Sequence, residues 1–129
     1  MAKHNEVGVV GEKVAEEFLI SKGHRILARN YRKPYGELDI VSVLGGVVHF
    51  VEVKTVSHGT GSGDAPSGSF RPEENVHPQK IKRLLRTIES YILERNVEGD
   101  WQFDVIAVYL DEETKTARVR FLENVILGS

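Results

Sequence analysis

The feature that constrains the fold most is a pair of β-favouring segments joined by two glycines. Residues 37–44 and 47–55 are rich in valine, isoleucine and leucine, and only Gly45 and Gly46 separate them. Two glycines between such runs are typical of a two-residue hairpin turn, whose central residues need positive φ. The sequence therefore predicts an antiparallel hairpin, in which positions 39 and 52 lie opposite each other.

Two helices and three further strands accompany this hairpin, in the predicted order α-β-β-β-α-β-β. The first helix is amphipathic, with a cap at Asn5 and an end just before Gly23, and the second spans residues 78–95. The predicted strands outside the hairpin are residues 25–28, the nearly all-apolar run 101–110, and residues 116–122. This order predicts an α/β fold, a mixed sheet of about five strands with helices packed on it.

Composition narrows the class of protein. Hydrophobic residues make up 40% and charged residues 28% of the 129 residues, which is typical of one globular domain and not of a disordered chain. Without cysteine, the chain has no disulfides, zinc-thiolate sites or thiol chemistry. No long apolar run or signal segment is evident, so we expect a cytoplasmic protein with no membrane partner. Residues 57–72, with four glycines, four serines and two prolines, predict a flexible loop.

Asp39, Glu52 and Lys54 form the constellation best suited to chemistry. Glu52 and Lys54 share a face of their strand because side chains alternate, and Asp39 faces Glu52 across the hairpin. Neighbouring carboxylates repel, and a divalent cation removes that repulsion; oxygen ligands favour magnesium or manganese. Such an ion can activate water and polarise a phosphodiester, while Lys54 orients the water or balances phosphate charge. Glu12 of the first helix is positioned to reach in as a further ligand.

Less specific explanations fit the same residues. Glu52 and Lys54 would also suit a solvated ladder of cross-strand ion pairs. Glu12 and Glu16 would suit the solvent-facing edge of an amphipathic helix. The five histidines show no metal-ligand spacing and are expected at the surface or in turns. Neither a P-loop ending in Gly-Lys-Ser/Thr nor a Gly-x-Ser-x-Gly motif is present in the sequence.

The ordered set of short motifs resembles one protein family. From about Val7 to Asn124 the chain is similar to the YraN-type bacterial proteins, uncharacterised protein family 0102. The motifs that carry this resemblance are Gly11-Glu12, Asn30-Tyr31-Arg32, Gly36-Glu37-Leu38-Asp39-Ile40, Phe50-Val51-Glu52-Val53-Lys54 and Phe103-Asp104-Val105. That family is similar to archaeal Holliday-junction resolvases of the PD-(D/E)xK nuclease superfamily. The resemblance implies a restriction-endonuclease-like core.

The resemblance also implies roles for individual residues. The implied metal-site acids and catalytic lysine are Glu12, Asp39, Glu52 and, as the lysine, Lys54. Glu37, in the Gly-Glu-x-Asp motif, and Lys80, before the apolar stripe of the second helix, are implied as supporting residues. In the superfamily a proline usually precedes the first acid, but here that position is Leu38. The YraN-type pattern also lacks this proline.

We therefore expect a magnesium- or manganese-dependent nuclease that acts on structured or branched DNA, with a homodimer expected by analogy with resolvases. The basic residues expected to contact phosphates are Arg29, Arg32, Lys33, Lys82, Arg83 and Arg86. A solvated helix face explains the same basic cluster. The alternative functions are a non-catalytic nucleic-acid-binding module of the same fold and a protein-interaction domain that uses the acidic tail after residue 96.

Overall fold

A computed structural model describes residues 2–58 and 78–127. These residues form two helices and five strands in the predicted order. The elements are α1 (Ala2–Ser21), β1 (Arg25–Lys33), β2 (Gly36–Leu44), β3 (Val47–His58), α2 (Pro78–Glu94), β4 (Trp101–Asp111) and β5 (Thr116–Leu122). The strands form one sheet in the order β1-β2-β3-β4-β5, with β3 and β4 parallel and the other neighbours antiparallel. The predicted α/β fold with a mixed five-strand sheet is confirmed.

The two helices pack on opposite faces of this sheet because apolar side chains alternate along the central strands. Phe50 of β3 packs with Ile88 and Tyr91 of α2. Val51, the next residue of β3, packs with Leu19 of α1. All five side chains are at most 2% exposed. The sheet is therefore covered on both faces where its central strands lie.

The end of α1 follows the prediction, but its beginning does not. Gly23 has φ of 98°, and the N–H of His24 donates to the carbonyl of Leu19 at 3.0 Å, a helix end that glycine favours. The predicted cap at Asn5 is wrong, because the helix already begins at Ala2. Neither helix in the described ranges is long and apolar enough to cross a lipid bilayer.

Two strands extend by three or more residues past their predicted ends, and β2 and β4 are each one residue longer than predicted. β1 continues past residue 28, because it remains paired with β2 as far as Lys33 opposite Gly36. β3 continues to His58, which pairs with Asp111 of β4. The first two residues of the predicted loop 57–72 therefore belong to a strand, and residues 59–72 lie outside the described residues. The predicted hairpin turn is confirmed, since the glycines at 45 and 46 have φ of 59° and 81°.

Gly11 brings α1 into close contact with β3. A Cβ atom at this position would lie 2.8 Å from Cβ of Thr55 and closer still to the rest of that side chain. Because the helix or the strand would have to shift, we expect Gly11→Ala to lower the free energy of unfolding by about 1–3 kcal/mol in urea titrations. Gly8→Ala is the matched control, since nothing lies within 4 Å of its added Cβ. We expect that control to stabilise α1 by about 0.5–1 kcal/mol; equal destabilisation by both substitutions would contradict the packing explanation.

Candidate functional site

β1 loses its regular alternation at Asn30. Arg29 contacts α1 and Tyr31 contacts α2, although residues two apart on a regular strand share a face. Asn30, between them, has φ of 50°, in the left-handed region that asparagine tolerates better than most residues. With its amide nitrogen turned toward them, its side chain donates to Glu12 Oε1 at 3.3 Å and to Glu37 Oε2 at 3.1 Å. Asn30 thus holds a carboxylate of α1 close to a carboxylate of β2.

Asp39 occupies the matching irregular position of β2. Leu38 packs toward α2 and Ile40 packs toward α1, so the chain changes face at Asp39. Regular pairing of β2 with β3 ends at Ile40. Beyond it, the N–H of Val53 donates to Asp39 Oδ2 at 2.8 Å. The Asp39 side chain thus takes the place of a backbone partner in the ladder, next to Glu52 as the predicted register requires.

The carboxyl groups around Asp39 repel one another. Burial raises the pKa of Asp39 from 3.8 to about 7, against the opposing effect of the Val53 hydrogen bond. The negative charges of Glu12, Glu52 and Glu37 contribute to this rise after burial. Burial, and next the charge of Glu37, also raise the pKa of Glu12. This concentration of negative charge is one that a bound cation would relieve.

Glu52 lies between two lysines. Its Oε2 is 2.8 Å from Lys54 Nζ and 3.5 Å from Lys80 Nζ. Burial disfavours the charged form of Lys54, but the hydrogen bond and charge of Glu52 outweigh it, and the nearby Asp39 also helps to raise the pKa of Lys54. Lys54 is therefore a cation at neutral pH. It can balance charge or orient water, but it does not act as a general base.

The acidic residues have the right chemistry to bind a cation, but their side chains are not already arranged around a common point. Among residues 2–58 and 78–127, no three His, Asp or Glu side chains are arranged to hold a metal ion. Glu12 accepts from Asn30, and Glu52 is paired with Lys54. The atoms available as metal ligands are nevertheless all carboxylate oxygens, which suit a hard cation such as magnesium or manganese. Glu12, Asp39 and Glu52 are the residues that would hold it.

Three adjoining cavities meet at the site. The first, of about 310 Å³, lies beside α1 and is lined by Glu12 and Asp39. A second, of about 170 Å³, is lined by Asp39, Glu52 and Lys80. The third, of about 580 Å³, is lined by Glu52, Lys80 and Arg83. The first and second cavities share Asp39 in their walls, and the second and third share Glu52 and Lys80, so the three adjoin one another. The first is termed the acidic cleft and the third the basic cleft.

Two of the six basic residues predicted to contact phosphates are hydrogen-bonded to carboxylates, and a third, Arg32, lies only within ion-pair distance of one. Arg29 donates to both carboxylate oxygens of Glu16 at 2.6 Å. Lys33 donates to Glu94 at the end of α2. Their charges are largely neutralised by these partners, so both residues are poorly placed to attract a phosphate.

The other four basic residues lie around the β1–β2 turn and α2. Arg32 is 73% exposed and 3.5 Å from a carboxylate of β2. Lys82 and Arg83 are exposed on α2, and neither has a charged partner within the described ranges. Arg86 stacks over the ring of Tyr35, with its guanidinium 3.8 Å from the ring centre. Arg32 and Arg83 thus line the basic cleft, and Arg86 stacks on Tyr35, which also lines it.

A second polar cluster was not predicted. His24 and His49 are only 5% and 4% exposed, so the predicted surface position is wrong for both, although His24 does follow the turn between α1 and β1. His49 Nδ1 lies 2.5 Å from Asp104 Oδ2, and His24 Nδ1 lies 2.9 Å from Ser42 Oγ. Burial, and next the proximity of His49, lower the pKa of His24. The available signal was strand alternation, which puts residue 49 on the same buried face as residue 51.

Comparison with known proteins identifies relatives without naming an activity. A family model described as Uncharacterised protein family UPF0102 matches residues 11–108. A UPF0102 protein of Alkaliphilus oremlandii is 38% identical over 94% of this chain and 97% of its own length. A UPF0102 protein of Moorella thermoacetica is 38% identical over 90% and 91% of the two chains. One of Chlorobium limicola is 41% identical over 83% and 78%.

Proposed function

This chain belongs to the uncharacterised protein family UPF0102, and from that premise we propose that it is a metal-dependent endonuclease acting on structured or branched DNA. The observation that carries the proposal is the convergence of Glu12 and Glu52 on the half-buried Asp39, whose pKa is raised to about 7. The resemblance of its motifs to those of Holliday-junction resolvases supports DNA as the substrate. A homodimer would present two such sites to a branched substrate.

The residues of the site divide the chemistry among them. A magnesium or manganese ion held by Glu12, Asp39 and Glu52 would polarise the phosphodiester and lower the pKa of water. Lys54, held 2.8 Å from Glu52, offsets the negative charge that grows on the phosphate during hydrolysis. Asn30 positions Glu12 by a hydrogen bond, as outer residues commonly orient metal ligands.

A cleavage assay with labelled four-way-junction, single-stranded and duplex DNA tests this function in magnesium, in manganese and in EDTA. Glu52→Gln keeps the size of the side chain but removes the carboxylate charge that pairs with Lys54. We expect this substitution to lower the cleavage rate at least about 100-fold. Glu17→Gln is the matched control, because Glu17 is exposed on α1, and we expect it to cleave at the parent's rate.

Two outcomes would contradict the proposal. Equal cleavage by the parent and by Glu52→Gln would mean that a contaminating enzyme or another site is responsible. Cleavage that persists in EDTA would rule out a dissociable metal ion as the source of catalysis.

A second candidate function is a nucleic-acid-binding module without turnover. The observation that favours it is the lack, within the described ranges, of three side chains already arranged to hold a metal ion. This function predicts that DNA binding is unchanged in Glu52→Gln and that the parent shows no metal-dependent cleavage in the same assay.

A further inference from the structure

The two clefts on either side of Asp39 differ in charge. The acidic cleft is lined by three acidic and two basic side chains: Glu12, Glu16, Asp39, Lys13 and Arg29. The basic cleft is lined by four basic and two acidic side chains: Arg32, Lys33, Lys80, Arg83, Glu37 and Glu52. Lys33 is paired with Glu94, so the other three basic side chains supply most of its positive charge. Phosphates of a nucleic-acid strand are therefore attracted to the basic cleft and repelled from the acidic cleft. A nucleic-acid strand bound at Asp39 is therefore expected to extend along the basic cleft and not along the acidic cleft.

The basic cleft also offers a surface for a nucleic-acid base. Tyr35 and Leu84 line it, and its volume of about 580 Å³ lies in the range of pockets that bind one small ligand, although it is open on one side. The Tyr35 ring is fixed, because its hydroxyl hydrogen-bonds with Ser90 and Arg86 stacks over it. A basic groove with an aromatic side chain is the combination that binds single-stranded nucleic acid, where bases stack on the ring.

We propose that the basic cleft binds one unpaired nucleotide of a single-stranded segment next to the phosphodiester at Asp39. Arg83 and Lys80 contact the phosphate, and Tyr35 and Leu84 contact the base. A duplex would have to unstack and unpair a base to fill the cleft, at a cost of a few kcal/mol. The position of the cleaved bond rests on the proposed nuclease function, but the binding itself requires no metal.

Arg29 provides a matched control for Arg83. Both are arginines near Asp39, but Arg29 lines the acidic cleft and donates to both oxygens of Glu16. Arg83 lines the basic cleft and has no charged partner in the described part of the chain. If the charge of the basic cleft binds the nucleic-acid strand, then of these two arginines only Arg83 contributes to the affinity.

Fluorescence anisotropy in EDTA, with a labelled oligothymidylate and a duplex of the same length, tests the proposal. We expect the parent to bind the single strand at least about tenfold more tightly than the duplex. Arg83→Gln should weaken single-strand binding and reduce the slope of log affinity against log salt by about 0.7. Tyr35→Leu should weaken it about fivefold or more without changing that slope. Arg29→Gln should leave both quantities within the error of the parent.

Equal affinity for duplex and single strand would overturn the proposal, as would equal losses in Arg83→Gln and Arg29→Gln. Arg83 is exposed, so its substitution leaves the fold intact and the comparison holds even if Tyr35→Leu unfolds. A single-strand preference in a protein that cleaves no substrate would refute the nuclease function and keep the binding site. Metal-dependent cleavage by a protein that shows no single-strand preference would support the nuclease function and refute the proposed binding site.

Discussion

Asp39→Asn is expected to stabilise the folded protein above pH 7 while abolishing metal-dependent cleavage. Folding raises the pKa of Asp39 from 3.8 to about 7, mainly through burial. The folded protein therefore keeps a proton that the unfolded chain releases, and the resulting stabilisation is complete below 3.8 and is lost as the pH rises through 7. Asparagine is neutral at every pH and can still accept the hydrogen bond from Val53. The expected gain above pH 7 is about 1–2 kcal/mol, allowing for the partial exposure of the side chain.

Chemical denaturation of the parent and Asp39→Asn across this pH range measures the effect. We expect the two stabilities to converge as the pH falls toward 3.8 and to separate above 7. Added magnesium should stabilise the parent by mass action and leave Asp39→Asn unchanged. Cleavage by the variant should fall at least about 100-fold. A variant that is less stable than the parent at every pH, or that magnesium stabilises equally, would contradict the proposal that Asp39 is a metal ligand destabilised by burial and by neighbouring carboxylates.

Asp104→Ala is expected to lower the free energy of unfolding by about 3–5 kcal/mol. The Asp104 side chain is completely buried and lies 2.5 Å from His49 Nδ1. It also accepts from Gln102 Nε2 and from the backbone N–H of Asn124, both at 2.9 Å. Alanine would leave these donors without their acceptor, which costs more than the hydrogen bonds themselves contribute.

Urea denaturation monitored by circular dichroism measures this loss. Asp100→Ala is the matched control, because Asp100 lies just before the same strand but is exposed. We expect that control to change the stability by at most about 0.5 kcal/mol. If Asp104→Ala were as mild as the control, the buried histidine cluster would not depend on this carboxylate.

The hairpin shows what the sequence could predict. The two glycines and the runs of valine specified the turn and the register, and the observed pairing of Ile40 with Val51 is that register. The change of face at Asn30 and Asp39 was not predicted. Alternation of apolar and polar residues indicates a regular strand, but it does not indicate the single position at which a strand changes face. The placement of Glu37 toward Asn30 therefore depends on an irregularity that only the tertiary structure shows.

The basic residues show a second limit. The sequence gives the positions of the charges, but it does not give their partners. Arg29 is paired with a residue 13 positions away, and Lys33 with one 61 positions away. Such partners meet only when helices dock on the sheet, so which cations are neutralised by a carboxylate is a tertiary property.

The order of the elements along the chain has a consequence for folding. The acids proposed to bind a cation all lie between Glu12 and Glu52, in α1 and the β1–β3 meander, whereas the basic cleft requires Lys80 and Arg83 of α2. Neighbouring hairpins close early, and the parallel pairing of β3 with β4 joins residues far apart in sequence and closes late. During synthesis on the ribosome, the chain is thus expected to assemble the half that holds the proposed cation ligands before it completes the basic cleft.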